Sequence, residues 1–272
     1  MLEAIRPRVL ISYFVDTSYR KERNMKLGEN IKTFIKGFIM VNILWYLAAI
    51  ILQMRVLPSP LDVFMGFSKL FEKQILLHIL ASVWRVFAAI GLSFIIGMPF
   101  GILMAYSKFW DSVLNPMVYF TYPIPKTALL PMVMLLFGLG DKSKIIIITL
   151  IVIFQIIVGV KGAIINIPPE FYDPLKTLGA SKYQVFKSVT LPAILPEAIT
   201  NLRLSIGTSL SILFFIEGYG TRYGIGYFIL DSWTRIDYIS MYGGIIVVSI
   251  LGFLLFILVD LLEEKLCKWK MR

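Results

Sequence analysis

Residues able to perform metal or nucleophilic chemistry are few in this chain. It contains one histidine, His78, and one cysteine, Cys267, so it offers neither a His/Cys metal cluster nor an intrachain disulfide. The stretch "GLGDKSK" (residues 138–144) has glycines and a lysine, but it lacks the Gly-x-x-x-x-Gly-Lys-Ser/Thr spacing of a phosphate loop, and no hydrophobic strand precedes it. We interpret it as a tight external turn. We therefore predict no catalytic residue, no metal site and no ATP chemistry in this chain.

Among the charged residues in the apolar stretches, Arg85, Lys126 and Glu217 are the candidates for a functional role. A charge near hydrocarbon is costly, and it is usually paired or functional. Glu217 is either part of a transport path or a carboxylate wetted by solvent or bonded to loop amides at Gly218 or Gly220, and Arg85 is its candidate counter-ion. Lys126, in a stretch broken by prolines, either extends to the membrane surface or places positive charge near an anionic solute.

Small polar residues repeat at a spacing of four near residue 210, as Ser205/Ser209 and Gly207/Ser211. This spacing creates small-residue faces that let helices approach closely. The same hydroxyls are also suited to lining a polar passage, and both interpretations remain open. Together with Lys126 and Glu217, Ser205 and Ser209 form the predicted translocation path.

The composition indicates that much of the surface lies in lipid. Hydrophobic residues make up 58% and charged residues 16% of the chain, whereas a soluble domain has about 45–50% apolar and about 25% charged residues. The net charge of +10 is then a record of membrane topology, and we predict no nucleic-acid partner. Runs of about 20 apolar residues predict six spans, the third bent by prolines: 36–54, 79–106, 113–137, 144–164, 197–217 and 241–262.

The distribution of basic residues predicts the orientation of these spans. With the N-terminus inside, 18 of the 27 Lys and Arg residues fall in inside segments and 7 in outside segments, which favours cytoplasmic termini and a multi-pass protein of the cell (plasma or inner) membrane. Residues 1–35 are predicted to be an N-terminal cytoplasmic segment and residues 36–272 the transmembrane domain. Met25 begins a stretch typical of a natural start, so residues 1–24 are either genuine or an extension.

The segment "PPEFYDPLKTLGASKYQVFKSVTLPAILPE" (residues 168–197) is unusually polar for its position between two apolar runs. Its two leading prolines stop the preceding span and favour a new helix from Glu170 to Leu178, limited by Pro174. Gly179 supplies the left-handed residue that ends this helix.

A second helix is predicted to follow this glycine. Ser181 is its N-cap and Gln184 completes a capping box. We expect it to run from Lys182 to Val189, closed by Pro192, with Pro196 starting the next span. The resulting pair of helices either rests on lipid headgroups through its lysines or docks into a groove of a partner protein.

The same segment resembles a family signature. Gly179 and Leu191-Pro192 match the Gly and Leu-Pro of the cytoplasmic loop of permease subunits of binding-protein-dependent ABC importers, although Asp173-Pro174-Leu175 replaces the Glu-Ala-Ala of that pattern. The stretches "YPIPKTALLPMVMLLFGLGDKSKI" and "EGYGTRYGIGYFI" are similar to the nitrate/sulfonate/taurine-type permeases. The resemblance covers about residues 75–270.

This resemblance implies an all-α membrane protein with about six transmembrane helices in the MetI-like ABC permease architecture. It implies a homodimer with two cytoplasmic ATP-binding subunits and an extracytoplasmic solute-binding protein, which together import a small anionic solute by alternating access. ATP would be bound and hydrolysed by the partner subunits, and this chain would hold no cofactor. The ATPase-coupling loop would cover about residues 165–196, with contacts from Asp173, Leu175, Lys176, Gly179, Ala180 and Tyr183.

Some alternatives remain open at this stage. Gly179 serves either backbone geometry or direct contact, and Tyr183 faces either a partner or the headgroups. A stand-alone secondary transporter or channel is the rival function; a carrier of that kind usually shows intramembrane carboxylates and inverted repeats, and Glu217 is the one good candidate here. The residues do not separate nitrate, sulfonates, taurine, bicarbonate and vitamin precursors as the solute.

Overall fold

The computed structural model describes residues 36–267 of the chain. The chain divides into two units, residues 1–64 and residues 65–272. The predictions for the basic N-terminal segment 1–35, including the start at Met25, lie outside the described residues.

The described part of the first unit contains helix α1 (Lys36–Leu52), which is apolar. Helix α2 (Pro60–Met65) lies at the boundary of the two units. Ser59 and Asp62 form a reciprocal cap at its start, because the Ser59 hydroxyl donates to the Asp62 carboxylate and accepts from the Asp62 N–H. Pro60, in the first turn, has no N–H that would need a partner there.

The second unit is a bundle of helices joined by short connections. Its α-helices are α3 (Phe67–Glu72), α4 (Ile75–Tyr106), α5 (Lys108–Thr121), α6 (Leu130–Phe137), α7 (Asp141–Ile165), α8 (Asp173–Thr177), α9 (Lys182–Val185), α10 (Leu191–Glu217), α11 (Ile225–Thr234) and α12 (Tyr238–Leu266). Two 3₁₀ helices (Lys126–Leu129 and Pro169–Phe171) and a π-helical turn (Phe186–Thr190) complete it.

Within residues 36–267, four helices are long and apolar enough to cross a membrane: α4, α7, α12 and the continuous helix Lys182–Glu217. The bent pair Lys108–Thr121 and Lys126–Phe137, whose axes differ by 84°, is long and apolar enough when taken together, as a broken span or a re-entrant loop. This bend confirms the effect predicted for the prolines, two of which, Pro123 and Pro125, lie in the break. The first of the six predicted spans corresponds to α1, which is shorter than the others.

Glycines allow α4 and α7 to pack in close contact at the centre of the bundle. A Cβ at Gly97 would lie 3.1 Å from Ile156 Cγ2, and a Cβ at Gly101 would lie 2.8 Å from the Ile157 carbonyl oxygen. These two glycines form a Gly-x-x-x-Gly pair, the small-residue pattern of closely packed membrane helices. The buried core continues through α7 to α10, where residues such as Ile156 and Ile194 are fully enclosed.

Candidate functional site

The polar segment predicted to be the coupling loop turns sharply at Gly179. This residue has φ +72°, which confirms the predicted left-handed conformation. The Gly179 N–H donates to the Lys176 carbonyl at 3.0 Å, and the Ala180 N–H donates to the Leu175 carbonyl at 2.9 Å. These bonds satisfy the last carbonyls of the preceding helix, so the turn is fixed by its own backbone.

The first part of the loop differs from the prediction. A single helix from Glu170 to Leu178 was expected, but a 3₁₀ turn (Pro169–Phe171) and the separate helix α8 stand in its place. Pro174 lies in the first turn of α8, where its missing N–H costs nothing. It therefore starts this helix, and the prediction that it limits one was wrong.

The second part of the loop begins with the predicted capping box. The Gln184 N–H donates to the Ser181 hydroxyl at 3.3 Å, and the Ser181 N–H donates to the Gln184 side-chain oxygen at 2.7 Å. Both amides at the start of α9 thus have partners, and the helix has a fixed beginning.

The predicted end of this second helix, at Pro192, was wrong. The chain continues through the π turn into α10 as one helix, Lys182–Glu217, with Pro192 in the first turn of α10 and Pro196 inside it. In the π turn the Leu191 N–H donates to the Phe186 carbonyl, five residues earlier. Such a widened turn accommodates a proline, which has no N–H and would clash with the carbonyl four residues before it in a regular α-helix.

Most of the predicted contact residues are accessible on this loop. Asp173, Lys176, Gly179 and Tyr183 are exposed, whereas Leu175 and Ala180 are half-buried. Sequence reasoning missed Leu178, whose side chain is 82% exposed. Its position directly before the turn glycine was an available signal, because no further turn of the same helix follows there to cover an apolar side chain.

Glu217 is the last residue of α10 and lies about 40 Å from the end of this helix that adjoins the loop. It is enclosed in a buried polar cluster. Its side chain is 0% exposed and forms an ion pair with Arg85 of α4, which is 4% exposed. The Ser82 hydroxyl lies 2.9 Å from both carboxylate oxygens, and the Gly226 N–H donates to Oε2 at 2.9 Å. The predicted counter-ion is confirmed. The predicted solvent contact and the bonds to Gly218 or Gly220 were wrong, since the amide that donates to Glu217 is that of Gly226, in the first turn of α11.

This cluster extends to α7 and α11. Arg85 also donates from Nε and Nη2 to Asp141 at 2.9 Å and 2.8 Å. The Ile225 N–H donates to the Ser82 hydroxyl at 2.8 Å. Lys144 is fully buried, and its ammonium donates to the Leu139 and Gly220 carbonyls. The cluster therefore joins α4, α7, α10 and α11 at one end of the bundle.

A cavity of about 260 Å³ is lined in part by His78, which lies four residues before Ser82 on α4. Its charged walls are partly neutralised by two ion pairs, Lys73–Asp237 and Arg235–Asp231. Burial alone would raise the pKa of Asp237, but hydrogen bonds from Lys73 and Ser240 outweigh that effect and hold this pKa below its usual range.

Lys126 lies in the break between α5 and α6. Its ammonium donates to the Tyr122 carbonyl at 2.6 Å and lies 5.3 Å and 4.9 Å from the ring centres of Tyr122 and Phe154. Contact with ring faces stabilises a cation. The residue is half-buried and forms no ion pair with the described residues, so its charge is not neutralised locally.

Ser205 and Ser209 lie on the buried side of α10, both 0% exposed. Neither hydroxyl has a hydrogen-bond partner among the described residues, and neither does the side-chain oxygen of Gln155 on α7. Burying an unpaired hydroxyl costs about 1–3 kcal/mol. The helices meet closely on this side, because a Cβ at Gly159 would lie 2.2 Å from the Asn201 side chain.

Comparison with known proteins places this architecture in a family. Residues 97–268 match the model of the binding-protein-dependent transport system inner membrane component. The chain belongs to this family. It is thus an integral membrane permease of the binding-protein-dependent ABC importer class, and the matched residues include the loop, α7, α10 and α12.

Three relatives of this permease are themselves named as transport permeases. It is 29% identical to a protein named as a putative aliphatic sulfonates transport permease of Bacillus subtilis, over 81% of this chain and 80% of the relative. It is 28% identical to the formylaminopyrimidine transport permease of Halalkalibacterium halodurans (86% and 94%). It is 30% identical to the taurine transport system permease of Escherichia coli (71% and 70%).

Solved structures show the same fold. The permease aligns with a chain of the methionine ABC transporter in an inward-facing conformation with a TM-score of 0.61. The sequences are 21% identical, and the alignment covers 70% of this chain and 94% of the other. The predicted all-α, MetI-like architecture is confirmed.

Proposed function

We propose that this permease forms, as a homodimer, the membrane pathway of an ATP-driven importer that moves a small anionic solute inward by alternating access. Two cytoplasmic ATP-binding subunits bind and hydrolyse ATP, and an extracytoplasmic solute-binding protein delivers the solute. Both termini and the 165–196 loop face the cytoplasm, in agreement with the excess of Lys and Arg in these segments over the segments on the other side.

The construction of the loop is the observation that carries this proposal. It presents exposed apolar side chains, Leu178 at 82% and Tyr183 at 70%, on elements fixed by the Gly179 turn and the capping box of α9. An apolar side chain on a short, rigid helix end suits docking in a groove of a partner protein. The exit of the loop continues into Lys182–Glu217 without a break, so a displacement of α9 is transmitted along the membrane-spanning helix.

Co-purification with the ATP-binding subunit of this transporter tests the docking. Leu178→Asp and Leu175→Asp place a charge in the docking surface, and both are expected to abolish co-purification while the permease remains inserted in the membrane. Leu178→Met keeps an apolar side chain and is the matched control. If both Asp variants retain the ATP-binding subunit and uptake, the loop is not the coupling element. If wild-type permease takes up solute without that subunit, the chain works as a stand-alone transporter.

Two observations support an anion as the solute. One relative is named for aliphatic sulfonates and another for taurine, which is itself a sulfonate. Lys126 carries a charge that no described residue neutralises. Ser205 and Ser209, with their unpaired hydroxyls, and Glu217 complete the proposed path.

Uptake of radiolabelled taurine tests this path in the intact transporter. Lys126→Gln is expected to lower uptake and Lys126→Arg to retain it. Equal uptake by both variants would show that the charge of Lys126 is not part of the path. Uptake of formylaminopyrimidine in place of taurine would assign the permease to the solute named for its other relative.

A further inference from the structure

A single hydroxyl group connects three separate parts of the permease at the loop end of the bundle. Thr190, the last residue of the π turn, is 0% exposed. Its Oγ1 lies 2.5 Å from the Tyr106 hydroxyl and 3.3 Å from the Tyr172 hydroxyl. Tyr106 is the last residue of α4, and Tyr172 directly precedes α8. We call these three residues the hydroxyl cluster.

The hydroxyl of Thr190 is used in an unusual way. A threonine in a membrane helix commonly donates to the carbonyl four residues earlier, as Thr200 and Thr208 do in α10. Thr190 instead contacts two phenols. One hydroxyl has one proton and two acceptor positions, so Thr190 has the capacity to satisfy both contacts, by accepting from both tyrosines or by donating to one and accepting from the other.

Thr190 lies at the turn where the helix Lys182–Glu217 departs from regular α-helical geometry. The helix Lys182–Glu217 is continuous, but its π turn is the one place between α9 and α10 where the regular hydrogen-bond register changes. Such turns are where helices bend or shift. Thr190 closes this turn, and its two tyrosine contacts are made to residues outside the helix, Tyr106 at the end of α4 and Tyr172 in the first part of the loop.

We propose that the hydroxyl cluster is a positioning element that makes the end of α4 move with the coupling loop. This inference rests on the proposed function of that loop. With the cluster intact, a displacement of α8 and α9 by the ATP-binding subunits is passed to α4 through Thr190 and Tyr106, as well as to α10 along its own helix. Without the threonine hydroxyl, the π turn bends and the end of α4 does not move with the loop.

Distance measurement in the assembled transporter tests this inference without knowledge of the solute. Spin labels are placed at Lys108→Cys, the first residue of α5 and two positions after the end of α4, and at Lys182→Cys, at the start of α9. Both positions are exposed. The buried Cys267 is replaced by serine, and labelled permease is diluted with unlabelled permease to isolate the distance within one chain. The complex with its ATP-binding subunits is compared without nucleotide and with ATP, Mg²⁺ and vanadate.

In permease with an intact cluster, the distance between the labels is expected to stay the same in both states. Thr190→Val keeps the shape of the side chain and removes the hydroxyl. In this variant, the addition of ATP and vanadate is expected to shift the distance between the labels or to broaden its distribution. Thr190→Ser restores the hydroxyl and is expected to behave like the parent. Thr200→Val is the matched control, because its hydroxyl is bonded only within α10, and no change is expected.

Three results would overturn the inference: a distance that changes in the parent, one that stays constant in Thr190→Val, or a Thr190→Ser variant that behaves like Thr190→Val. Should Thr190→Val fail to accumulate, Tyr106→Phe carries the same test, because it removes one oxygen from a residue that is 54% exposed. Loss of the proposed function gives a different result: the parent permease itself would then fail to bind the ATP-binding subunits.

Discussion

Arg85 of α4 and Glu217 of α10 form an ion pair whose side chains are 4% and 0% exposed. Taking two charges out of water is favourable only when further hydrogen bonds satisfy them, and here Ser82, Gly226 and Asp141 supply those bonds. The pair ties together the two helices that are joined at the other end of the bundle by Tyr106 and Thr190. The spans are therefore cross-linked by polar contacts at both ends, with an apolar core between them.

Removing one partner of this pair should destabilise the permease strongly. In Glu217→Ala, Arg85 loses its buried counter-ion and the Ser82 hydroxyl and Gly226 N–H lose their acceptor, at a cost of about 3–5 kcal/mol. Thermal unfolding in detergent measures the effect. Asp141→Asn is the matched control, because that side chain is 48% exposed, and a smaller fall in Tm is expected. If Glu217→Ala melts no earlier than Asp141→Asn, the buried pair contributes little.

The contact between α4 and α7 depends on a missing side chain at Gly101. A Cβ there would lie 2.8 Å from the Ile157 carbonyl oxygen, and backbone cannot move aside as a side chain would. Gly101→Ala is therefore expected to cost about 1–3 kcal/mol, even though alanine is the better helix former. Gly91→Ala in the same helix meets nothing within 4 Å and is expected to leave Tm unchanged or slightly higher. Equal Tm values for the two variants would contradict this packing.

Acid should weaken the contact between Asp237 and Lys73. The pKa of Asp237 is lower in the folded state than its ordinary value of 3.8, because hydrogen bonds from Lys73 and Ser240 outweigh burial. Its contribution to stability is thus fully present above about pH 3.8 and is lost as the pH falls through the folded-state pKa. The difference in Tm between wild type and Asp237→Asn should stay constant from neutral pH to about pH 5 and narrow below the ordinary pKa. A difference that persists in strong acid would show that Asp237 acts by shape alone.

The features that sequence reasoning predicted correctly are local or chemically exceptional. The left-handed Gly179 and the Ser181–Gln184 capping box depend on residues within a few positions of each other. The bend at Pro123 and Pro125 follows from proline geometry alone. The pairing of Arg85 with Glu217 was predictable across 132 positions, since few charges occur in the apolar runs and each needs a partner.

The features that were missed depend on packing between distant parts of the chain. Gly97-x-x-x-Gly101 is visible in the sequence, but the helix it contacts is not. Pro192 predicts the end of a helix, and only the tertiary structure shows that a π turn accommodates it. The contacts of Thr190 join residues 84 and 18 positions away, and nothing in the sequence distinguishes these hydroxyls from others near a membrane surface.

Gly179 offers a test that separates backbone geometry from direct contact in the coupling loop. Its φ of +72° is strained for an L-residue, by about 1–2 kcal/mol, yet a Cβ there would meet nothing within 4 Å in this chain. Gly179→Val should therefore distort the turn and abolish co-purification of the ATP-binding subunit. Asparagine tolerates the left-handed conformation far better, so Gly179→Asn should retain the subunit if the glycine serves geometry alone. Loss of the subunit in both variants would show instead that the partner contacts the backbone at this position too closely for any side chain.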